Sequence, residues 1–226
     1  MKVFEKQLWH LLSLLLLIAG MYYLIELDIV NLSGSLWGVS TNTWFFLSIA
    51  IPVAHHIYVL FNWRFELHYK LLTRTFGTVA FRLYTIGFFI FFVARMIFVI
   101  FLSVANHNTI QLNDLFSYSI SGIMAFASLY AFYSVIRYFG IDRAAGIDHF
   151  DPKARELPFV TRGIFKYTNN GMYTYAFLML YVPGMLYQSS AALTVAIFSH
   201  IFIWAHYYFT EVPDMKRIYN KTPNQS

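Results

Sequence analysis

The sequence predicts an all-α fold: a polytopic membrane helical bundle of about six transmembrane helices, with a C-terminal helical hairpin and a cytoplasmic polar connector. Three observations predict it. Of the 226 residues, 58% are hydrophobic and only 12% are charged, roughly half the charged share of an ordinary soluble chain, which leaves too few ionic groups to solvate a compact surface. Apolar runs of about 20 residues, the length that crosses a bilayer, recur along the chain. Lys and Arg collect in alternate connections between those runs, as the positive-inside rule requires. The same composition excludes a disordered chain. The absence of cysteine excludes a disulfide scaffold, a thiolate metal site and a cysteine nucleophile. A net charge of +5 on so apolar a chain points to an anionic lipid surface, not to nucleic acid.

The spans follow in order. Residues 8–29 form the first; Lys2 and Lys6 precede it, but no small-x-small cleavage site follows, so it reads as a retained span. The second is 43–61, carrying Pro52, His55 and His56. The third, 79–104, is rich in Phe and Ile, and the fourth is 115–139. A polar stretch occupies 140–170. The fifth and sixth spans, 172–187 and 191–209, are separated by Gln188-Ser189-Ser190 and read as a tight hairpin, with Pro183-Gly184 as a kink. The segments 31–42, 106–114 and 188–190 hold no Lys or Arg. The amino terminus, the connections 62–82 and 140–170, and the tail with Lys216, Arg217 and Lys221 hold nearly all of them. Both termini are therefore expected in the cytoplasm, on a bacterial inner membrane or the endoplasmic reticulum. The basic, aromatic segment 62–82 reads as interfacial. The whole, 1–226, reads as a single membrane domain, with N-terminal spans over 1–136 and the chemistry over 137–220.

Arg95 is the basic residue that breaks this pattern, deep in the third span. A guanidinium at that depth should face the bundle and find a partner. Either an ion pair or carbonyl contact fixes packing there, or the side chain meets an anionic lipid or cofactor group.

Polar chemistry concentrates in the last third. The stretch 140–170 is too charged to span and too long for a mere connector. It ends in Thr168-Asn169-Asn170-Gly171 at the mouth of a helix; such a start offers free N–H groups to an anion or simply caps the helix. In the last span His200, Trp204, Tyr207 and Glu211 are spaced to share one helical face, with Tyr208 beside them. Glu211 either receives a cation or sugar hydroxyls or pairs with Lys216 or Arg217. No His-Glu-x-x-His spacing is present, so no metal site is expected. His55 and His56 diverge by about 100° on a helix, and no second matched pair points to haem.

The run from Gly163 to Tyr173 resembles the Gly-Pro-Tyr-Arg-Tyr-x-Arg-His-Pro-x-Tyr signature of the integral-membrane methyltransferases, which include the isoprenylcysteine carboxyl methyltransferases and the phospholipid N-methyltransferases. Gly163, Phe165, Lys166, Tyr167, Met172 and Tyr173 fall in place without gaps. Upstream, Tyr138-Phe139-Gly140-Ile141 resembles the Tyr-Phe-Gly-Ile of the phospholipid branch, and downstream Glu211, Pro213, Ile218 and Tyr219 resemble its Glu-Glu-Pro…Ile-Tyr ending. The resemblance covers about 137–220. Departures are Asn169-Asn170-Gly171 in place of Arg-His-Pro, Tyr175 in place of Gly, and Val212 in place of the second Glu.

The resemblance implies S-adenosylmethionine as cofactor, transferring a methyl group to a lipid or lipidated substrate that enters from the bilayer. It implies cofactor-binding roles for Lys166, Tyr167, Asn169, Asn170, Tyr173, Trp204, Tyr207 and Glu211, with Arg162 beside them. Tyr173 is the candidate catalytic residue of the signature. For an amine acceptor, His149, His206 and Glu156 are the candidates to take a proton. Two other readings stand beside this one. A sterol-reductase-like enzyme would use Arg155, Arg162 and Lys166 on the 2′-phosphate of NADPH; a non-enzymatic membrane protein would bind neither cofactor.

Overall fold

The computed structural model describes residues 2–219; Lys221 of the basic tail and Asn220, the end of the resemblance, lie outside them. The first helix, α1, is Gln7–Glu26. A two-residue hairpin follows, β1 (Ser35–Leu36) pairing antiparallel with β2 (Val39–Ser40). Its turn residues Trp37 and Gly38 have φ of 55° and 76°, the signs that a type I′ turn needs. Ser40 then caps α2 (Thr41–Tyr69), its hydroxyl accepting from the Thr43 N–H.

The second helix runs eight residues past the expected end at 61, because Trp63, Arg64 and Glu66 continue the buried stripe that passes through Val59. It stops at Lys70, whose backbone is left-handed (φ 51°). The Glu66 carboxylate bonds the Thr73 N–H and hydroxyl across that corner. The short helix α3 (Leu71–Phe76) buries none of its residues, as an interfacial segment would. Next come α4 (Ala80–Ala105) and α5 (Asp114–Ser134), the latter capped by Asn113. A π-helical turn, Val135–Phe139, continues α5.

The connector is a chain of short pieces: α6 (Ile141–Ala144) and 3₁₀ turns at Ile147–His149, Pro152–Glu156 and Gly163–Lys166. The fifth expected span is broken. It comprises α7 (Gly171–Thr174), a 3₁₀ stretch Ala176–Leu180, and α8 (Tyr181–Leu186). Among the described residues five helices are therefore long and apolar enough to cross a membrane, and the fifth expected span is not among them. Pro183 supplies a reason: it cannot donate to Met179, and its ring crowds that carbonyl. The irregular geometry accordingly falls one turn upstream of the expected kink. The closing element is α9 (Ser190–His206), a π-helical turn Tyr207–Glu211, and α10 (Val212–Tyr219).

Helix α9 lies at the centre and packs on α1, α2, α4 and α8. Ala191, Ala192, Val195, Ala196 and Ser199 are buried along it. Small residues let helix axes approach closely where lipid leaves no hydrophobic drive for association. The outward faces carry the large apolar residues, such as Leu8, Leu15, Leu16 and Ile18 of α1.

The two ends of the bundle differ as the charge pattern expects. At one end the base-free connections knit together: Asn106 donates to the carbonyls of Asn31 and Ser33, and its Oδ1 accepts from Ser189 Oγ. At the other end the guanidinium of Arg64 meets the carbonyls of Lys2 and Val3 and the carboxylate of Asp214. The first and last described stretches thus share the basic end.

Candidate active site

The broken segment and α9 run antiparallel and meet along one aromatic seam. Tyr173, Phe177 and Tyr181, each four residues apart, face His200, Trp204, Tyr207 and Glu211. Tyr181 Oη lies 3.2 Å from His200 Nδ1, and the Phe177 ring is 5.7 Å from that of His200. At the basic end of the seam, Tyr173 stands edge-on to Trp204 (6.1 Å) and Tyr207 (5.8 Å). Its hydroxyl donates to Glu211 Oε2 at 2.5 Å, a short, charge-assisted geometry. Tyr207 and Glu211 both sit in the π-helical turn, a local widening that recurs at functional sites. Tyr208 is exposed and stacks on Trp204 at 6.0 Å. Tyr173, Trp204, Tyr207 and Glu211, four of the expected cofactor-binding residues, thus come together.

Arg95 belongs to this neighbourhood, which its position in the sequence did not reveal. It is buried, lies 5.4 Å from the Phe177 ring and places Nη2 3.4 Å from His55 Nδ1. Among the described residues it has no carboxylate partner, and its Nε has no hydrogen-bond partner. Phe177 itself was not singled out by the sequence reading; its place four residues after Tyr173 was the available signal.

The connector is held against α5 and α10. Gly163 has φ of 61°, and a Cβ there would lie 2.6 Å from Ser134 Oγ. That close approach lets Ser134 Oγ accept from the Ile164 N–H at 3.0 Å, and Phe165 stacks on Phe139 at 5.1 Å. The glycine that opens the resembling run is thereby given a steric reason. Asp148 accepts from Tyr219 Oη at 2.5 Å, while Arg155 Nε is spent on the Asp148 carbonyl.

Lys166, Tyr167 and Asn169 are exposed, and Asn170 is partly so. None of their side chains makes a hydrogen bond or ring contact with the Tyr173–Glu211 cluster among the described residues. The expected anion site at the helix start is also weakened, because α7 is a single turn and the aligned dipoles of one turn are few. Asn170 N–H donates to Thr168 Oγ1, and the Asn170 side chain forms no cap.

The candidate proton acceptors lie elsewhere. His149 is buried and stacked on Trp63 at 4.2 Å. Its Nε2 is 3.6 Å from Asp214 Oδ2. His206 points away from the aromatic seam, toward His10 and His56. Glu156 is exposed on the connector.

Two concavities lie outside the seam, with none of its residues in their walls. One, of about 930 Å³, runs along the outer face of α4 beside Phe81, Ile86, Phe89, Ile90 and Val93, with Arg82 and Asp142 also in its wall. The other, of about 380 Å³, lies between the end of α5 and the connector and is lined by Arg137, Tyr138 and Arg162.

Residues 116–222 match the family model described as phospholipid methyltransferase. No curated protein and no solved structure matches the chain in the corresponding searches.

Proposed function

We propose that this chain, which through residues 116–222 belongs to the phospholipid methyltransferase family, transfers a methyl group from S-adenosylmethionine to a lipid or lipidated substrate at the cytoplasmic face. The membrane bundle and the methyltransferase family are the premises. The observation that carries the finer reading is the meeting of Tyr173, from the signature-like stretch, with Trp204, Tyr207 and Glu211 of the closing helix.

The side chains suit such a cofactor. A carboxylate accepts only, so Glu211 complements ribose hydroxyls or an α-amine. The rings of Tyr173, Trp204 and Tyr207 complement adenine by stacking, or a positive centre by cation–π attraction. Arg95, a buried cation with no carboxylate partner among the described residues, complements an anionic group, and Lys166, Asn169 and Asn170 offer further donors from the connector. When bound, the cofactor supplies a methyl group on a positively charged sulfur that is already a good leaving group.

The chain's task is then approach and orientation. The Tyr173 hydroxyl, fixed by Glu211, holds one wall of the site rigid. The aromatic rings exclude water, and their faces stabilise positive charge that develops on an acceptor nitrogen. An amine acceptor must shed a proton. Of the two bases in the seam, Glu211 lies beside Tyr173, whereas His200 Nδ1 is 3.2 Å from Tyr181 Oη; His149 is stacked on Trp63 and His206 faces other histidines. The apolar groove on α4 suits an acyl chain, and Arg82, Arg137 and Arg162 suit an anionic headgroup.

The test is twofold. Calorimetric titration of the purified chain in detergent should show binding of S-adenosylmethionine and none of NADPH. Mass spectrometry of lipid extracts from cells given a labelled methyl donor should show a labelled lipid only when the protein is present. A well-folded chain that takes up no S-adenosylmethionine sinks the proposal.

A further inference from the structure

Away from the aromatic seam, three helices each contribute one histidine to a single buried point. His10 of α1, His56 of α2 and His206 of α9 are 7%, 3% and 3% exposed. One ring nitrogen from each lies within 4.8 Å of the other two. The ring centroids are 5.8 Å (His10–His56), 5.6 Å (His10–His206) and 4.7 Å (His56–His206) apart. The walls are aromatic: Phe202 stacks on His56 at 4.3 Å, and Trp63 is 5.8 Å from His206.

The hydrogen bonding is what makes this cluster unusual. His10 Nε2, both nitrogens of His56 and His206 Nδ1 are buried with no partner among the described residues. Buried polar atoms in proteins are nearly always satisfied, and each exception calls for a reason. Three imidazoles from three helices, converging with orphaned nitrogens, have an evident one.

A neighbour also fixes the tautomer at His10. Gln7 Nε2 donates to the Phe209 carbonyl at 3.0 Å and lies 3.2 Å from Thr210 Oγ1. A carbonyl only accepts, so the NH₂ end of Gln7 must point there and its Oε1 must point back. That oxygen lies 3.2 Å from His10 Nδ1, so Nδ1 carries the hydrogen. Nε2 is left with a bare lone pair aimed into the cluster. Metal-ligating histidines are oriented in this way, by an acceptor bonded to the other ring nitrogen.

We propose that His10, His56 and His206 bind a transition-metal ion of the class that prefers imidazole, with zinc as the reference metal, and that Gln7 positions His10 for it. Imidazole nitrogens suit zinc, copper, iron and nickel, whereas magnesium and calcium take oxygen ligands. Zinc–nitrogen bonds of about 2.0–2.1 Å set tetrahedral ligands about 3.4 Å apart. The ring nitrogens, within 4.8 Å of one another, would draw together to that spacing on binding. A fourth, anionic ligand such as hydroxide would lower the net charge of the buried centre; of the cations that act on the cluster, Arg64 is paired with Asp214, whereas Arg95 has no carboxylate partner among the described residues.

The ion would act as a clamp. Helix α1 presents mostly lipid-facing side chains, and His10 and Met21 are its only buried residues. In a bilayer such a helix gains little from apolar contact with its neighbours. A bond from His10 to His56 and His206 fastens α1 to the α2–α9 pair next to the turn that carries Tyr207 and Glu211. The site is separate from the proposed cofactor site and its test does not depend on methyl transfer.

The full chain is purified in detergent from cells grown with zinc, and its metal content is measured by mass spectrometry; zinc is then removed by chelation and titrated back by calorimetry. The expected result is one zinc per chain, with a thermal midpoint that falls on chelation and recovers with zinc but not with magnesium. His10→Ala, His56→Ala and His206→Ala should each lose zinc binding, whereas His55→Ala and His107→Ala should keep it. Gln7→Ala should weaken it by about 10- to 100-fold, the range for a partner one shell out from the metal. Because a variant can fail to fold, the unmodified chain decides on its own. If it holds no zinc, copper, iron or nickel and its midpoint ignores all four, the proposal is wrong. It is equally wrong if all three histidine variants retain the wild-type stoichiometry.

Discussion

Arg64 Nε lies 2.7 Å from each carboxylate oxygen of Asp214, and neither side chain reaches the surface. The same guanidinium takes the carbonyls of Lys2, Val3 and Thr210, and His149 Nε2 stands 3.6 Å from the same carboxylate. One ion pair therefore gathers the first residues, α2, the connector and α10. Removing one partner of a buried pair strands the other, at about 3–5 kcal/mol. Asp214→Asn and Arg64→Met should each lower stability by that order. The double variant Arg64→Met/Asp214→Leu should recover much of the loss, since it buries no lone charge. Thermal unfolding of the three variants in one detergent checks this; a double variant as unstable as the sum of the singles would contradict it.

Tyr173 and Glu211 lie 38 residues apart in the chain and touch through one hydrogen bond. Hydrogen bonds to charged groups contribute about 1.5–3 kcal/mol. Tyr173→Phe and Glu211→Gln should each weaken S-adenosylmethionine binding by about 10- to 100-fold. If the two residues work as one unit, the double variant should be little worse than either single one. Calorimetric titration of the four proteins closes the cycle, and strict additivity would mean that they act separately.

The helical bundle, the connector and the face shared by Trp204, Tyr207 and Glu211 were legible in the sequence because each rests on local periodicity or on composition. The apolar runs mark the long helices, and spacings of three, four and seven residues select a helix face. What was not legible depends on pairing between distant segments. Nothing in the spacing of His10, His56 and His206 brings them together; three separate helices must first be packed. The break at Ala176–Leu180 escaped notice because an apolar run looks the same whether its backbone is α or 3₁₀. Arg95 was correctly expected to face inward, but its neighbour Phe177 came only with the fold. His149 looked like a base because it is a histidine in a polar stretch; its burial against Trp63 and Asp214 is a tertiary fact.

If His149 is a packing and ion-network residue, its loss should affect stability more than chemistry. His149→Phe keeps the stack on Trp63 and removes the contact with Asp214. It should leave the pH profile of methyl transfer unchanged and lower the thermal midpoint. A profile that loses its acid limb, with the midpoint intact, would instead identify His149 as the proton acceptor.

Gly163 is a position in the resembling run where backbone and space agree. Its φ of 61° is left-handed, and an added Cβ would meet Ser134 Oγ at 2.6 Å and Tyr138 Cδ2 at 2.8 Å. A left-handed conformation costs a residue with a Cβ about 1–2 kcal/mol, before any clash is counted. Gly163→Ala should therefore loosen the connector from α5 and weaken cofactor binding without unfolding the long helices. Limited proteolysis should cut within 140–170 faster, while the helical circular dichroism stays close to that of the parent chain.

Gly171 stands where the resembling signature has proline, and the structure gives the substitution a reason. A Cβ at this position would lie 2.6 Å from Ile164 Cγ2 and 3.1 Å from its Cγ1. Proline is otherwise well suited to the first turn of a helix, where its missing N–H is no loss. The obstacle is therefore the bulk of Ile164. The preceding residue adds a smaller one: Asn170 has ψ of 41°, outside the extended range that a following proline favours. Gly171→Pro alone should lower the thermal midpoint and displace the turn that carries Tyr173. Gly171→Pro combined with Ile164→Ala clears the contact, so it should be more stable than Gly171→Pro and recover part of the S-adenosylmethionine affinity. If the pair is worse than both single variants, the Ile164 contact is not what excludes proline, and the backbone at Asn170 must dominate.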